Sequence, residues 1–202
     1  YDKARQSFIQ ARSLGGYMNY KQTSHYAIAE YQCGNVNEAK SLFEQAMKMH
    51  DSERASRQSA GEPADDVIML VRYAQLLFDS FKKYTDARLL LERAMAADPT
   101  YPDAHFLYAL LMTKLQEFKK ADEHYEILIS VEPNGDFVKG VLLKTHLSWY
   151  IDYLIGDKKE PESAGPHIKR LMKLIQDFPN ENQDSDILED LEEHKTAYPH
   201  LF

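Results

Sequence analysis

The sequence predicts an all-α fold in which short antiparallel helix pairs stack on one another. Three observations carry this prediction. The segment ARLLLERAMAADP, residues 87–99, returns in altered form 34 residues later as ADEHYEILISVEP, residues 121–133. Apolar residues recur at helical spacing on both sides of short polar turns, and no strand pattern interrupts them. Each predicted helix is too short to be stable alone, so the helices must pack as hairpins.

The clearest hairpin spans residues 102–133. Its first helix has an apolar stripe at i, i+3, i+4 and i+7, formed by Phe106, Ala109, Leu110 and Thr113. Its second helix has a matching stripe, formed by Ala121, Tyr125, Leu128 and Ile129. The polar turn QEFKK separates the two and contributes one aromatic residue, Phe118. Alanines allow the two backbones to approach closely, and Pro133 ends the second helix because it lacks an N–H group.

This pattern resembles the tetratricopeptide repeat, a 34-residue helix-turn-helix unit. In residues 102–133 the resemblance rests on Ala109, Phe118, Ala121, Tyr125, Leu128 and Pro133. The preceding unit matches through Ala74, Phe78, Tyr84, Ala87, Leu91, Ala94 and Pro99. That unit also resembles the HAT (half-a-tetratricopeptide) variant, whose second helix opens with Ala-Arg and ends with Glu-Arg-Ala. A further unit upstream matches through Ala27, Gly34, Ala39, Phe43 and Ala46, with Gly34 at a turn that needs a positive φ.

We expect about four and a half repeats and a C-terminal capping helix, forming one domain over residues 1–202. The resemblance implies a right-handed α-solenoid, in which each unit contacts mainly its neighbours. The predicted segments are a second helix (1–16), a unit (20–50), a loop insertion (51–66), two units (67–99 and 102–133), an irregular unit (136–179) with a loop at 156–166, and a capping helix (184–198). Within the insertion at 51–66 we expect the preceding helix to be prolonged before the loop begins. The first segment begins within a helical pattern that includes Ala4 and Phe8, so we expect a fragment of a longer chain.

Composition and charge narrow the functional classes. The chain has 24 Lys and Arg residues against 32 Asp and Glu residues, a net charge of −8, which argues against nucleic acid as a partner. The lone cysteine, Cys33, cannot form an intrachain disulfide, and no apolar run approaches the length of a membrane span. We therefore expect an intracellular protein, cytoplasmic or nuclear.

The sequence offers no convergent set of catalytic or metal-ligating residues. There is no His-x-x-x-His or Cys-x-x-Cys spacing, no glycine-rich phosphate loop and no G-x-S-x-G motif. His105 and His146 fall on packing stripes, so we interpret them as structural residues, and Cys33 as a small apolar residue at a helix end. The prediction is a protein that is not an enzyme and has no catalytic, cofactor-binding or metal-binding residues.

The resemblance implies that the first helix of each unit faces a concave groove where ligands bind. Carried onto this chain, the groove residues are Lys21, Ser24, His25, Ile28, Tyr31, Met69, Arg72, Tyr73, Leu76, Asp103, Phe106, Leu107, Leu110, Phe137, Val141 and Lys144. Relatives that bind acidic chaperone tails use cations where this chain has Asp103, Phe106 and Leu107. The groove instead fits a hydrophobic or amphipathic segment of another protein, with Tyr31, Tyr73 and Phe106 as anchors.

Two alternatives remain open from the sequence. The apolar groove residues could be covered by neighbouring helices and so belong to the core. The chain could also be an architectural subunit of a large assembly, conceivably an RNA-processing one, which it contacts through its convex face and residues 51–66. Partner identity and oligomeric state are not determined by these patterns.

Overall fold

The computed structural model describes residues 1–61, 65–131, 137–177 and 185–202, apart from the side chains of residues 57, 137–139 and 185. Within these ranges there are ten α-helices and no strand, which confirms the all-α fold class. The helices are α1 (Asp2–Ser13), α2 (Tyr20–Gln32), α3 (Val36–Ser59), α4 (Val67–Asp79), α5 (Tyr84–Ala97), α6 (Pro102–Lys114), α7 (Phe118–Val131), α8 (Phe137–Asp152), α9 (Pro161–Asp177) and α10 (Ser185–Ala197). A π-helical segment, Tyr153–Asp157, continues α8, and a 3₁₀ turn, Pro199–Leu201, follows α10.

Local signals in the sequence explain where several helices begin. Asn19 and Gln22 form a capping box at the start of α2, each side chain accepting a hydrogen bond from the other residue's backbone N–H. The Asp66 side chain caps α4 by accepting from the backbone N–H of Met69. Pro102 occupies the first turn of α6, where a missing N–H leaves no helical bond unmade.

The helices pack as four pairs, α2 with α3, α4 with α5, α6 with α7 and α8 with α9. Each of the second helices α3, α5 and α7 also contacts the first helix of the next pair. The first helices α2, α4 and α6 contact one another in sequence, and α8 joins them through a 2.9 Å hydrogen bond between His146 Nδ1 and Thr113 Oγ1. The first helices therefore lie side by side in one layer and the second helices in another.

Close packing at alanines holds each pair together. Ala39, Ala87 and Ala121 hold equivalent positions in the second helices, and each is 0% exposed. Ala109 on α6 is also fully buried, as the repeat pattern predicts. The buried apolar residues form two clusters, and the partly buried Met47, Tyr73 and Phe81 pack against both. The core therefore runs from α2 to α10 without a break.

Each of the four turns that join the two helices of a pair contains one residue with a positive φ. Gly34 has φ +83°, which confirms the turn predicted from the glycine. The corresponding residues of the later turns are Lys82, Gln116 and Lys159, with φ between +54° and +59°. The turn geometry therefore persists where glycine is absent, and the side chains there occupy a conformation that costs about 1 kcal/mol or more.

The structure refines two of the predicted segments. Residues 51–59 continue α3 to Ser59, in agreement with the prolonged helix expected there, and residues 62–64 lie outside the described part of the chain. Arg93 on α5 fixes this extension by donating to Asp51 at 2.6 Å and to the buried Asp65 at 2.7 Å. Residues 161–166 also belong to a helix, since α9 begins at Pro161. The loop predicted at 156–166 therefore shrinks to 158–160.

Other predicted boundaries stay predictions. Pro133 and Pro179, expected to end two units, lie outside the described residues. On α1, Ala4 is exposed rather than buried, and only Phe8 packs inward, stacked on Tyr26 at a centroid distance of 5.3 Å. The assignment of residues 1–16 to the second helix of a unit stays a prediction.

Candidate functional site

The candidate site is the layer of first helices. Ten of the sixteen predicted groove residues keep some exposed surface there, and we call them the first-helix face: Lys21, His25, Ile28, Tyr31, Arg72, Tyr73, Asp103, Phe106, Leu110 and Val141. They come from α2, α4, α6 and α8, which lie side by side, and that they share one ligand-binding surface stays a prediction. The side chain of Phe137 lies outside the described residues.

Five predicted groove residues are buried and do not offer a ligand their side chains: Ser24, Met69, Leu76, Leu107 and Lys144. Met69 and Leu76 are packed in the cluster that α4 shares with α2 and α3, and Leu107 belongs to the cluster that continues to α10. The cause is that α4 and α6 each have a first helix on both sides. A wider arc of their surface is therefore enclosed than sequence spacing indicates.

Polar residues of the first-helix face are paired with one another across neighbouring helices. The Tyr31 hydroxyl on α2 donates to Asp79 on α4 at 2.9 Å. Arg72 on α4 donates to Asp103 on α6 at 3.1 Å and to Gln75 at 3.2 Å. Burial and the hydrogen bond to Asp79 raise the pKa of Tyr31 to about 12. The only predicted arginine of this face is thus engaged by a carboxylate of the same face.

The sequence reasoning missed Asp79 and Gln75 as members of this surface. The repeat spacing did not identify Asp79, because α2 and α4 are offset by 47 residues and Tyr31 is therefore equivalent to Phe78. No sequence signal identifies Gln75 either.

The three predicted anchors differ in how much they offer a ligand. Tyr73 stacks on Phe43 of α3, with ring centroids 5.2 Å apart and an interplanar angle of 15°. Burial raises the pKa of Tyr73 to about 12, so this ring belongs mainly to the contact between α3 and α4. Phe106 is partly buried against the core and keeps one accessible side. Together with Ile28, Leu110 and Val141, which are also half-buried, it gives the face an apolar character.

Buried histidines lie between the helices and not on this face. His105 Nε2 donates to the carbonyl oxygen of Pro99 at 2.8 Å, which leaves its Nδ1 to accept from Nδ1–H of His124 at 2.9 Å. Burial, reinforced by His105, lowers the pKa of His124 to about 4. Burial likewise lowers the pKa of His146 to about 4, although Asp122 opposes the shift. The lowered pKa values of His124 and His146 favour their neutral forms, and their hydrogen bonds link neighbouring helices.

The described residues contain no group of three or more His, Cys, Asp or Glu side chains that could hold a metal ion. Cys33 Sγ lies 3.3 Å from Asp2 Oδ1, and burial together with this carboxylate raises the pKa of the thiol. A raised pKa disfavours the thiolate that a nucleophile needs. Among the described helices, none combines the length and apolar character needed to cross a bilayer.

Sequence and structure comparisons agree with this architecture. Residues 80–137 match the sequence profile of the tetratricopeptide repeat. The fold is that of a tetratricopeptide repeat solenoid. No curated protein sequence matches the chain.

Solved repeat structures share the fold at low sequence identity. The first TPR of Spaghetti (RPAP3), bound to the HSP90 peptide SRMEEVD, has a TM-score of 0.52 and 19% identity, covering 63% of this chain and 90% of that one. MamA from Desulfovibrio magneticus RS-1 has a TM-score of 0.53 and 17% identity, covering 79% and 77%. A tetratricopeptide repeat protein from Parabacteroides merdae has a TM-score of 0.62 and 14% identity, covering 95% and 64%. At these identities the similarity concerns the fold.

Proposed function

We propose that the protein is an interaction scaffold whose first-helix face binds a hydrophobic or amphipathic peptide segment of another protein. The observation that carries the proposal is a set of half-buried apolar side chains on the first helices, Ile28 on α2, Phe106 and Leu110 on α6, and Val141 on α8. A peptide laid across these helices would cover their accessible sides. Because both helix layers are already packed, the surface is formed before binding and the receptor loses little conformational entropy.

The charges of the first-helix face favour an amphipathic ligand over an acidic one. The HSP90 peptide in the Spaghetti (RPAP3) structure, SRMEEVD, contains three acidic residues. Here Arg72 is engaged by Asp103, so this cation is already paired and is less able to bind a carboxylate of an acidic peptide. A ligand with an apolar stripe and neutral or basic polar residues does not depend on this cation.

The proposal is tested with peptides selected against the intact protein by display and measured by calorimetry. The Phe106→Ala, Leu110→Ala double variant should weaken binding at least about tenfold, since burying each side chain contributes about 1 to 2 kcal/mol. The matched control is Leu89→Ala, Ile129→Ala, which removes exposed apolar side chains from the second helices α5 and α7. Thermal unfolding by circular dichroism verifies that both variants stay folded.

The control should bind within about twofold of the wild type. The proposal fails if the two double variants bind the selected peptides equally well, or if every selected peptide is acidic.

A second candidate is an architectural subunit that contacts an assembly through its second helices. Exposed apolar residues favour it, because Leu89 is 60% exposed on α5, and Ile129 and Val131 are 44% and 41% exposed on α7. Light scattering after size-exclusion chromatography separates the two candidates. A monomer at micromolar concentration supports the peptide receptor, whereas self-association that the Leu89→Ala, Ile129→Ala variant abolishes supports the subunit.

A further inference from the structure

The last first helix extends beyond its neighbour. α6 has 13 residues and ends at Lys114, whereas α8 has 16 residues and continues for five more as a π-helical segment. The hydrogen bond from Thr113 to His146 fixes their alignment, so everything after His146 on α8 lies past the last turn of α6. The chain's single tryptophan, Trp149, stands in this overhang and is 54% exposed.

A cavity of about 430 Å³ lies under the overhang, and we call it the overhang pocket. Its lining includes three aromatic side chains, Phe118, Trp149 and Tyr153. Phe118 is buried and stacks on Tyr150, with centroids 5.2 Å apart and an interplanar angle of 9°, so this wall is fixed by packing. None of the lining residues belongs to the first-helix face.

The pocket is acidic as well as aromatic. Asp152 and Asp157 line it against a single cation, Lys114. His194 Nε2 lies 2.7 Å from Oδ1 of Asp152, which holds that carboxylate in place while its second oxygen stays outside this contact. Asp157 is exposed at the end of the π-helical segment. A cation entering the pocket would therefore meet two carboxylates beside the exposed indole of Trp149.

The chain itself shows that a cation is stable here. The ammonium group of Lys158 lies 5.4 Å from the ring centroid of Tyr153, within cation–π range. A hydrogen bond to the Tyr153 side chain and its charge interaction, with smaller contributions from Glu160 and Asp157, raise the pKa of Lys158. The indole face of Trp149, a stronger cation–π acceptor than a phenol, remains accessible.

We infer that the overhang pocket binds an arginine side chain of a partner protein, with the guanidinium stacked on Trp149 and paired with Asp157. Arginine fits better than lysine because its planar guanidinium stacks on an indole and pairs with a carboxylate in two parallel hydrogen bonds. An apolar side chain would cover the two carboxylates without replacing the hydrogen bonds that water donates to them. An acidic side chain would be repelled by them.

The single tryptophan gives a direct test. In the intact ¹⁵N-labelled protein, the one indole N–H signal belongs to Trp149. The probes are acetyl-Gly-Arg-Gly-amide and its counterparts with lysine, citrulline and leucine, titrated at constant ionic strength. The arginine peptide should shift the signal saturably with a Kd of the order of millimolar, as expected for one side chain without flanking contacts. The lysine peptide should bind at least about threefold more weakly, and the leucine and citrulline peptides should not saturate.

Asp157→Asn should weaken the arginine response at least about threefold, since it removes one charge of the ion pair. The control Asp86→Asn removes an exposed acid on α5 and should leave the response unchanged. The inference is overturned if the arginine peptide gives no saturable shift up to about 50 mM, if the leucine peptide acts equally, or if Asp157→Asn has no effect. The Phe106→Ala, Leu110→Ala variant should keep the arginine response, so this test and that of the first-helix face fail independently.

Discussion

Lowering the pH from 7.5 to 5.0 should destabilise the protein through its buried histidines. His124 and His146 have pKa values of about 4 in the folded state because burial disfavours their charged forms. In the unfolded chain an ordinary histidine has a pKa of about 6.5. Between these values the unfolded state binds more protons than the folded state, so the free energy of unfolding falls as pH falls through this window.

The magnitude follows from the two pKa values. For one histidine with a pKa of about 4 when folded and about 6.5 when unfolded, linkage predicts a loss of about 2 kcal/mol at pH 5.0 relative to pH 7.5. His124 and His146 together give a loss of about 4 kcal/mol, a large part of the stability of a typical domain. The environment of His146 also contains Asp122, 3.9 Å from its Nε2, and Arg170, whose effects on its pKa oppose each other.

Urea unfolding followed by circular dichroism at pH 7.5, 6.5, 5.5 and 5.0 measures the effect. Carboxylates with lowered pKa values, such as Glu30 and Asp51, lose their stabilising charge only at more acidic pH, so this range isolates the histidines. The His146→Gln variant should lose part of the pH dependence, because His124 and His167, whose pKa values are also lowered, remain. The exposed His25 provides the control, since His25→Gln should leave the pH dependence unchanged.

The reasoning would be refuted by equal free energies of unfolding at pH 7.5 and 5.0. It would also be refuted if His25→Gln altered the pH dependence as much as His146→Gln.

Two further substitutions test particular contacts by urea unfolding. Gly34→Ala should cost about 1 kcal/mol through backbone conformation alone, because φ is +83° and an added Cβ would meet nothing within 4 Å. Gly156→Ala, where φ is not positive and space is also open, should cost nothing, and an equal cost at both sites would contradict this explanation. Arg93→Met should cost about 2 kcal/mol or more, because the buried Asp65 loses its main partner. Its control is Arg12→Met, which breaks the exposed pair with Glu38 and should change stability by less than about 0.5 kcal/mol; a similar loss in both variants would rule out a special role for Arg93.

Residues whose position follows from the repeat period were predictable from the sequence. Ala87 and Ala121 are separated by one period and are both fully buried, because each stands where two helix backbones meet. The turn at Gly34 was predicted correctly, because glycine alone adopts a positive φ without an energetic cost. Lys82 and Gln116 show the limit of that signal, since packing on both sides imposes the same turn on residues that do not favour it.

The candidate site was less predictable because it depends on contacts between units. Spacing placed Met69 and Leu76 on the ligand side of α4, but α2 and α6 flank that helix and the two side chains are enclosed. The pair of Arg72 with Asp103 likewise depends on how two helices are aligned, which periodicity does not specify. The overhang of Trp149 arises because α8 is longer than α6. This difference was not predicted, because the last unit departs from the repeat period.

The account depends most on the close approach of helix pairs at buried alanines, because that packing aligns the first helices into one surface. The direct measurement compares the free energy of unfolding of Ala87→Leu with that of Ala96→Leu, two alanines of α5 of which the first is buried and the second exposed. We expect Ala87→Leu to lose about 1 to 3 kcal/mol through overpacking and Ala96→Leu to stay within about 0.5 kcal/mol of the wild type. Equal effects of the two substitutions would contradict the account.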